Sequence, residues 1–263
     1  MIINQKNISV FNPKVSIVMS VLNAEKTIAN ALESFKIQTY CNKELIIIDG
    51  KSTDETLAIL SQYDSLINKL ISEEDDGLYF ALNKGFDIAT GSLIGILHAD
   101  DFFADKDVIE DIVEIYRNNP NVSAIFADLD YVSKDNINLR KRKWKSSVFS
   151  KNLLMFGWMP PHPTLFVSKK IHDDIGPYNT SYKISSDYDY IWRLFSIKNA
   201  IYKYLPRVTV KMRVGGKSNV SLKNIFQKSS EDFNIIKSKK KSYVVSFFIL
   251  IFKNLRKIIQ LFT

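Results

Sequence analysis

A single cysteine, Cys41, is all the chain contains, so no internal disulfide can form and no Cys-rich zinc site can be assembled. Nine glycines and seven prolines among 263 residues exclude a collagen-like or loop-dominated chain, and 46% hydrophobic content excludes disorder. Neither G-x-G-x-x-G nor G-x-x-x-x-G-K-[S/T] occurs, so a dinucleotide fingerprint and a P-loop are both missing as ways of holding phosphate. Long apolar runs are missing too. The longest, Tyr243 to Phe252, falls far short of the roughly 20 residues a membrane-spanning helix needs, and Met1 to Lys14 has no apolar core of a secretory signal.

Acidic residues are scarce in one region only. Residues 203–263 carry 14 Lys/Arg against 2 Asp/Glu, while residues 1–202 carry 22 against 26, so the net charge of +8 hides an acidic body and a basic tail. An acidic body argues against nucleic acid as a partner, and the basic tail suits an anionic membrane surface. The expected location is cytoplasmic, peripherally attached to the inner face of the cell membrane.

What is present is a βα rhythm. VSIVMSV (15–21), ELIIID (44–49), residues 66–72, LIGIL (93–97) and residues 124–127 read as strands, and residues 25–37, 54–63, 77–89 and 105–118 as helices between them. Such an order predicts an α/β fold, a Rossmann-like, mostly parallel sheet with helices on both faces. After about residue 128 the rhythm fails: LRKRKWK (139–145) reads as an exposed strand, MPPHPTLF (159–166) as a Pro-rich turn entering a strand, and 186–196 as a helix. The expected organisation is one catalytic domain over 1–236, with halves 14–127 and 128–236, followed by a basic amphipathic helical tail over 237–263.

Ligands of such sheets bind at the carboxyl ends of the strands, and here those ends are polar. Asn23 follows the first strand, Asp49 ends the second, Glu73 and Asp75 follow the third, and His98, Asp100 and Asp101 follow the fourth. Gathered carboxylates repel one another and ask for a cation. Magnesium and manganese favour carboxylate oxygens together with substrate phosphates, which makes the Asp100–Asp101 pair a natural mount for a metal-diphosphate. The plainer alternative is that one of the pair caps the helix near Asp105. Asp49 is placed to accept hydrogen bonds from a base or ribose, whereas Asp54 reads as a helix cap.

Taken in order, VSIVMSVLNAEKTI, LIIIDGKSTDET, SEEDDGLYFALNKGFDIATG and the DXD-type HADD resemble the nucleotide-sugar half of family 2 glycosyltransferases, inverting enzymes of the GT-A fold. The resemblance continues through PPHPTLFVSKKIHDDIGPYNTSYKISSDYDYIWRL and KMRVGGKSN, over roughly residues 14–235. It implies Mn²⁺ or Mg²⁺ as cofactor, held by Asp101 with Asp100, and a nucleotide pocket containing Asn23, Glu25 and Asp49, with Asp100 approaching the ribose or sugar and Glu73 and Asp75 on the same rim. Ser186-Asp187 stands where the family commonly has Glu-Asp, so Asp187 is the implied general base, with Asp189 as the alternative. Asn83, His98, His162, Asp189 and Arg193 are candidate substrate contacts, Arg193 having the plainer role of ion-pair partner.

The implied activity is transfer of a sugar, a UDP-hexose by resemblance, to a lipid-linked or free saccharide acceptor in surface polysaccharide assembly, O-antigen or capsule. A sugar nucleotidyltransferase and a non-catalytic nucleotide-sugar-binding protein are the alternatives. The first wants a Gly-rich basic loop after the first strand, which SVLNAEKT lacks. In the tail, lysines and arginines flank the apolar run on both sides, which suits a helix lying in a bilayer interface; the alternative is that the run packs on the catalytic domain.

Overall fold

The computed structural model describes residues 11–215, 222–240 and 242–259. The strands are β1 (Val15–Val21), β2 (Lys43–Asp49), β3 (Lys69–Ser72), β4 (Leu93–Ile96), β5 (Phe102–Phe103), β6 (Val122–Val132), β7 (Arg140–Trp144), β8 (Phe166–Ser168) and β9 (Ile201–Arg213). The helices are α1 (Ile28–Lys36), α2 (Thr56–Ser61), α3 (Leu78–Ile88), α4 (Val108–Asn118), α5 (Lys169–Ile175), α6 (Ser186–Phe195), α7 (Leu222–Lys240) and α8 (Tyr243–Ile259).

One sheet in the order β3-β2-β1-β4-β8-β6-β9-β5 runs through the described chain, with β7 paired to β6. β3, β2, β1 and β4 are parallel neighbours, and β6 and β9 are parallel to each other. The short β8 lies antiparallel between β4 and β6, so all six of those strands still point one way and their carboxyl ends share one edge. The division near residue 128 falls inside β6; both halves therefore build on the same sheet.

Alternation along the inner strands explains their continuous apolar runs. Ile17, Met19, Leu45 and Ile47 pack with Ile28, Leu32, Phe35 and Ile112 on one face. Val18, Ile46 and Ile48 pack with Leu82, Phe86, Ile191 and Leu194 on the other. A strand buried on both faces has no solvent side, so no polar alternation is left to see. Helix α3 sits close because of Gly85, where a Cβ would come within 2.3 Å of Val18 Cγ1.

The tail is two helices rather than one, and residue 237 lies within α7. Ser246, Ile249 and Lys253, at helical spacing, form the buried face of α8. Gly157, left-handed at φ 65°, lets α8 approach so closely that a Cβ there would lie 2.5 Å from the Lys253 backbone. Lys253 is itself buried and pairs with buried Asp232 of α7 at 2.6 Å, and Arg256 Nε donates to the Phe156 carbonyl at 3.0 Å. The opposite face remains apolar and exposed through Val244, Phe247, Phe248, Ile251, Phe252 and Leu255. The apolar run thus packs by one face and leaves the other in solvent. Among the described residues no helix is long and apolar enough to cross a membrane.

Candidate active site

At the carboxyl ends of β1 and β2 the two strand-end loops are laced together. Asp49 is fully buried and accepts from Ser52 N (3.1 Å), Ser52 Oγ (2.5 Å) and Ser72 Oγ (2.6 Å), so much of its hydrogen-bonding capacity goes to shaping the loop. Asn23 takes the left-handed conformation at φ 51°, which asparagine tolerates, and its Oδ1 accepts from Thr53 N at 2.9 Å. Glu25 Oε2 accepts from Glu55 N at 3.3 Å, while Glu25 N donates to Asp54 Oδ2 at 3.2 Å. Asp54 also accepts from Thr56 N at 3.0 Å, the helix-start role read for it. Beyond β3, Lys84 pairs with Glu73 at 2.6 Å and with Asp75, whose Oδ2 is buried without a hydrogen-bond partner.

The β4 end carries the strongest electrostatic feature. Asp101 N donates to the His98 carbonyl at 3.0 Å, making a tight turn, and the chain then enters β5, which pairs with β9. Neither aspartate caps the following helix: α4 begins only at Val108, and Asp105 Oδ1 accepts from Asp107 N just before it. Asp101 has no accessible surface, and both of its carboxylate oxygens lack a hydrogen-bond partner. Burial, then the neighbouring Asp100 charge, push its carboxyl well above the usual range, with Arg213 pulling the other way. Arg213 is fixed by donating to the Asp100 carbonyl and to Asn30 Oδ1 at 2.8 Å.

A buried carboxylate with no partner at standard hydrogen-bond geometry, opposed only weakly by the Arg213 backbone N–H and charge, is a standing demand for positive charge. Among the described residues no group of three or more His, Cys, Asp or Glu could enclose a metal; Asp100 and Asp101 are the two acids that would hold a divalent cation, whose charge would offset the buried carboxylate and a bound diphosphate.

Across from this turn, α6 presents Asp187 to a cleft of about 300 Å³ lined also by Tyr79, His98, Arg142, Trp144, His162 and Lys228. Tyr79 Oη donates to the Ile184 carbonyl at 2.8 Å and reaches Asp187 Oδ1 at 3.4 Å. Burial pushes the Asp187 carboxyl up, but Lys228, His162, Lys253 and the Tyr188 N–H outweigh it and hold the acid below its ordinary value. His162 lies in a 3₁₀ turn and is joined to Tyr178 Oη at 2.9 Å; its ring is 6.3 Å from that of His98. Burial holds His162 at about 4 and lowers His98 as well, although Asp100 and Asp187 both act on His98 in the opposite direction. His98 thus feels both Asp100 and Asp187, and it lines the Asp187 cleft.

Three candidate contacts are engaged elsewhere. Asn83 clamps the backbone of Tyr178, donating to its carbonyl at 2.9 Å and accepting from its N–H at 2.8 Å. Buried Asp189 pairs with Arg193 at 2.8 Å and with Lys239 at 3.4 Å. Arg193 in turn donates to the carbonyls of Ile175, Gly176 and Pro177. Two positions apart on one helix, Asp187 and Asp189 face different surroundings, and only Asp187 lines the cleft.

Sequence reading gave no individual role to Arg142, Trp144, Lys228 or Arg213, and it counted Lys253 among the basic residues flanking the apolar run at a bilayer interface, whereas Lys253 is buried against Asp232. The first two carried a signal: alternate residues of the basic strand turn to the cleft. Lys228 and Lys253 arrive only through the packing of α7 and α8. Gly216 to Asn219, at the end of the quoted KMRVGGKSN, lie outside the described residues.

The sheet with its acid-bearing carboxyl edge and a facing helix defines a GT-A-type transferase. The pattern of Glycosyl transferase family 2 matches residues 16–177. A PGL/p-HBAD biosynthesis glycosyltransferase of Mycobacterium tuberculosis is 30% identical over 220 residues, covering 82% of this chain and 83% of the relative. TarS of S. aureus superposes with a TM-score of 0.67 at 17% identity over 90% of this chain, which spans 42% of that TarS chain. The mannosyltransferase PcManGT from Pyrobaculum calidifontis, in complex with GDP-Man and Mn²⁺, gives 0.65 at 17% identity over 91% of this chain and 70% of its own. The chain belongs to glycosyl transferase family 2 and is a glycosyltransferase.

Proposed function

We propose that this enzyme transfers a hexose from a nucleoside diphosphate donor, a UDP-sugar, to a saccharide hydroxyl with inversion, in a reaction that depends on Mn²⁺ or Mg²⁺. The observation that carries this reading is the buried carboxylate of Asp101, short of hydrogen-bond partners and beside Asp100 at the strand edge, with His98 of the same turn lining the Asp187 cleft. A TarS structure in complex with UDP-GlcNAc and the PcManGT complex with Mn²⁺ support the donor class and the metal. In this reading the acceptor oxygen bonds to the anomeric carbon as the bond from that carbon to the diphosphate oxygen breaks. Asp187 takes the hydroxyl proton, and the nucleoside diphosphate leaves. A divalent cation would be held by Asp100 and Asp101 and, when bound, would supply counter-charge to that leaving group. Asn23, Glu25 and Asp49 shape the wall for the base and ribose, and Glu73 and Asp75, held by Lys84, close its rim.

Nucleotide binding tests the donor half. UDP at 100 times its Kd with Mn²⁺ is expected to stabilise the protein by about 2.7 kcal/mol and raise Tm accordingly, with no shift in chelator. An equal shift in chelator, or none with any nucleoside diphosphate and metal, would refute the reading.

The acceptor in this proposal is a lipid-diphosphate-linked saccharide of surface polysaccharide assembly, met at the inner face of the cell membrane. The outer face of α8 supports it: Phe247 and Phe248 are 56% and 54% exposed, among further apolar side chains, within a strongly basic segment. Such a face suits an anionic bilayer interface, where each nearby Lys or Arg adds on the order of 1 kcal/mol. Because the inner face holds the Lys253–Asp232 pair, the informative variant alters only the outer face. Phe247→Ser with Phe248→Ser is expected to release the protein from vesicles containing anionic lipid while leaving Tm and nucleotide binding unchanged. Wild-type protein that fails to sediment with such vesicles would contradict membrane attachment.

A further inference from the structure

The cleft that holds Asp187 has a surplus of positive charge. Arg142 from β7, Lys228 from α7 and Lys253 from α8 all line it, against the single carboxylate of Asp187. Lys253 is matched by Asp232. On β7 two of the other cations are matched as well, Lys143 with Asp128 at 3.6 Å and Arg140 with Asp130 at 4.0 Å. Arg142 differs. Its guanidinium lies 3.9 Å from the centre of the Tyr131 ring, and among the described residues neither Arg142 nor Lys228 has a carboxylate within ion-pair distance.

Two such cations are a poor surface for a neutral sugar, which offers only hydroxyls and C–H faces. Lys228 also works against the neighbouring base, because positive charge beside a carboxylate disfavours its taking up a proton. Both costs vanish when an anion is docked between them. A planar guanidinium with a nearby ammonium is suited to a phosphate or carboxylate group, the Arg fork giving paired hydrogen bonds and the Lys a point charge. The donor's own diphosphate is accounted for at the strand-end acids, whereas Arg142 and Lys228 come from β7 and α7.

We propose that Arg142 and Lys228 form an oxyanion subsite for the acceptor, so that the saccharide glycosylated here carries a phosphate or a uronate carboxylate next to the hydroxyl presented to Asp187. This rests on the transferase reading above, in which Asp187 is the base. The docked anion fixes the acceptor's orientation and offsets the field that Lys228 exerts on the base.

The test is isothermal titration of the full-length protein with inorganic pyrophosphate, inorganic phosphate and glucuronate, each in excess chelator so that no metal-diphosphate forms. At least one anion is expected to bind saturably. Arg142→Gln or Lys228→Gln should weaken that binding at least tenfold with Tm unchanged, Asp187→Asn should tighten it, and Asp100→Asn should leave it unchanged. Binding of the phosphates alone identifies a phosphate-bearing acceptor; binding of glucuronate alone identifies a uronate. No saturable binding, binding indifferent to both substitutions, or binding that responds to Asp100→Asn and not to Arg142→Gln overturns the proposal. Because metal is absent throughout, these outcomes are independent of nucleotide binding with Mn²⁺, whose failure would instead overturn the transferase reading.

Discussion

Asp187→Asn is expected to reduce sugar transfer by roughly 10²-fold or more, with donor binding retained. The amide nearly matches the carboxylate in shape and can still accept from Tyr79 Oη and Tyr188 N, so the fold of the α6 N-terminus should persist. What it cannot do is take a proton from the acceptor hydroxyl. The loss should therefore appear in kcat, with the donor KM little changed. Lys228, His162 and Lys253 hold the acid below its usual value, so Asp187 is ionised throughout the neutral range and contributes no acid limb to the rate there. Asp189→Asn is expected to behave differently. Asp189 is buried between Arg193 and Lys239, so its loss should lower Tm while the remaining folded enzyme still transfers. A dead Asp189→Asn beside an active Asp187→Asn would move the base to the other face of α6.

Asp101→Asn is expected to separate stability from activity. In the metal-free protein the Asp101 carboxyl is buried, its oxygens have no hydrogen-bond partner, and the Asp100 charge adds to the effect of burial. A group whose folded pKa is raised gives full stability below its unfolded value of about 3.9 and loses it as pH rises through the folded value. At neutral pH, Asp101 is therefore a destabilising residue unless a cation offsets it. Neutralising it should raise the Tm of the metal-free protein at pH 7 and remove the dependence of that Tm on Mn²⁺ with UDP. Transfer should fall to a small residue, because the leaving diphosphate loses the counter-charge that the metal supplies. A variant that is less stable than wild type in chelator, or fully active, would show that Asp101 has a structural partner instead.

Much of the first half of the fold was legible because local pattern and tertiary role agree there. The central runs of β1, β2 and β4 are apolar because they are covered on both faces, and the polar residues that follow them lie along the carboxyl edge of the sheet. The short pieces were not legible. β5 has two residues and β8 only three, too few for any periodicity, yet they set the turn at Asp101 and join the two parallel groups of strands. For α6 spacing shows the helix and that Asp187 and Asp189 face different ways, but the choice of Asp187 came only from the resemblance at Ser186-Asp187. The saturation of Asp49 by Ser52 and Ser72 could not be read, because those bonds depend on how the loops after β2 and β3 meet. The cations of the Asp187 cleft were hidden for the same reason. Lys253 reads in sequence as a basic residue flanking the apolar run, and only the docking of α8 at Gly157 brings it to the cleft.

The most direct measurement is the proton NMR spectrum of the transfer product, from a screen of nucleotide sugars and saccharide acceptors run with Mn²⁺ and again in excess chelator. Direct displacement with Asp187 as base and metal on the diphosphate predicts a new glycosidic bond of anomeric configuration opposite to that of the donor, formed with Mn²⁺ and lost in chelator. A product that retains the donor's configuration, or one formed equally well in chelator, would contradict it.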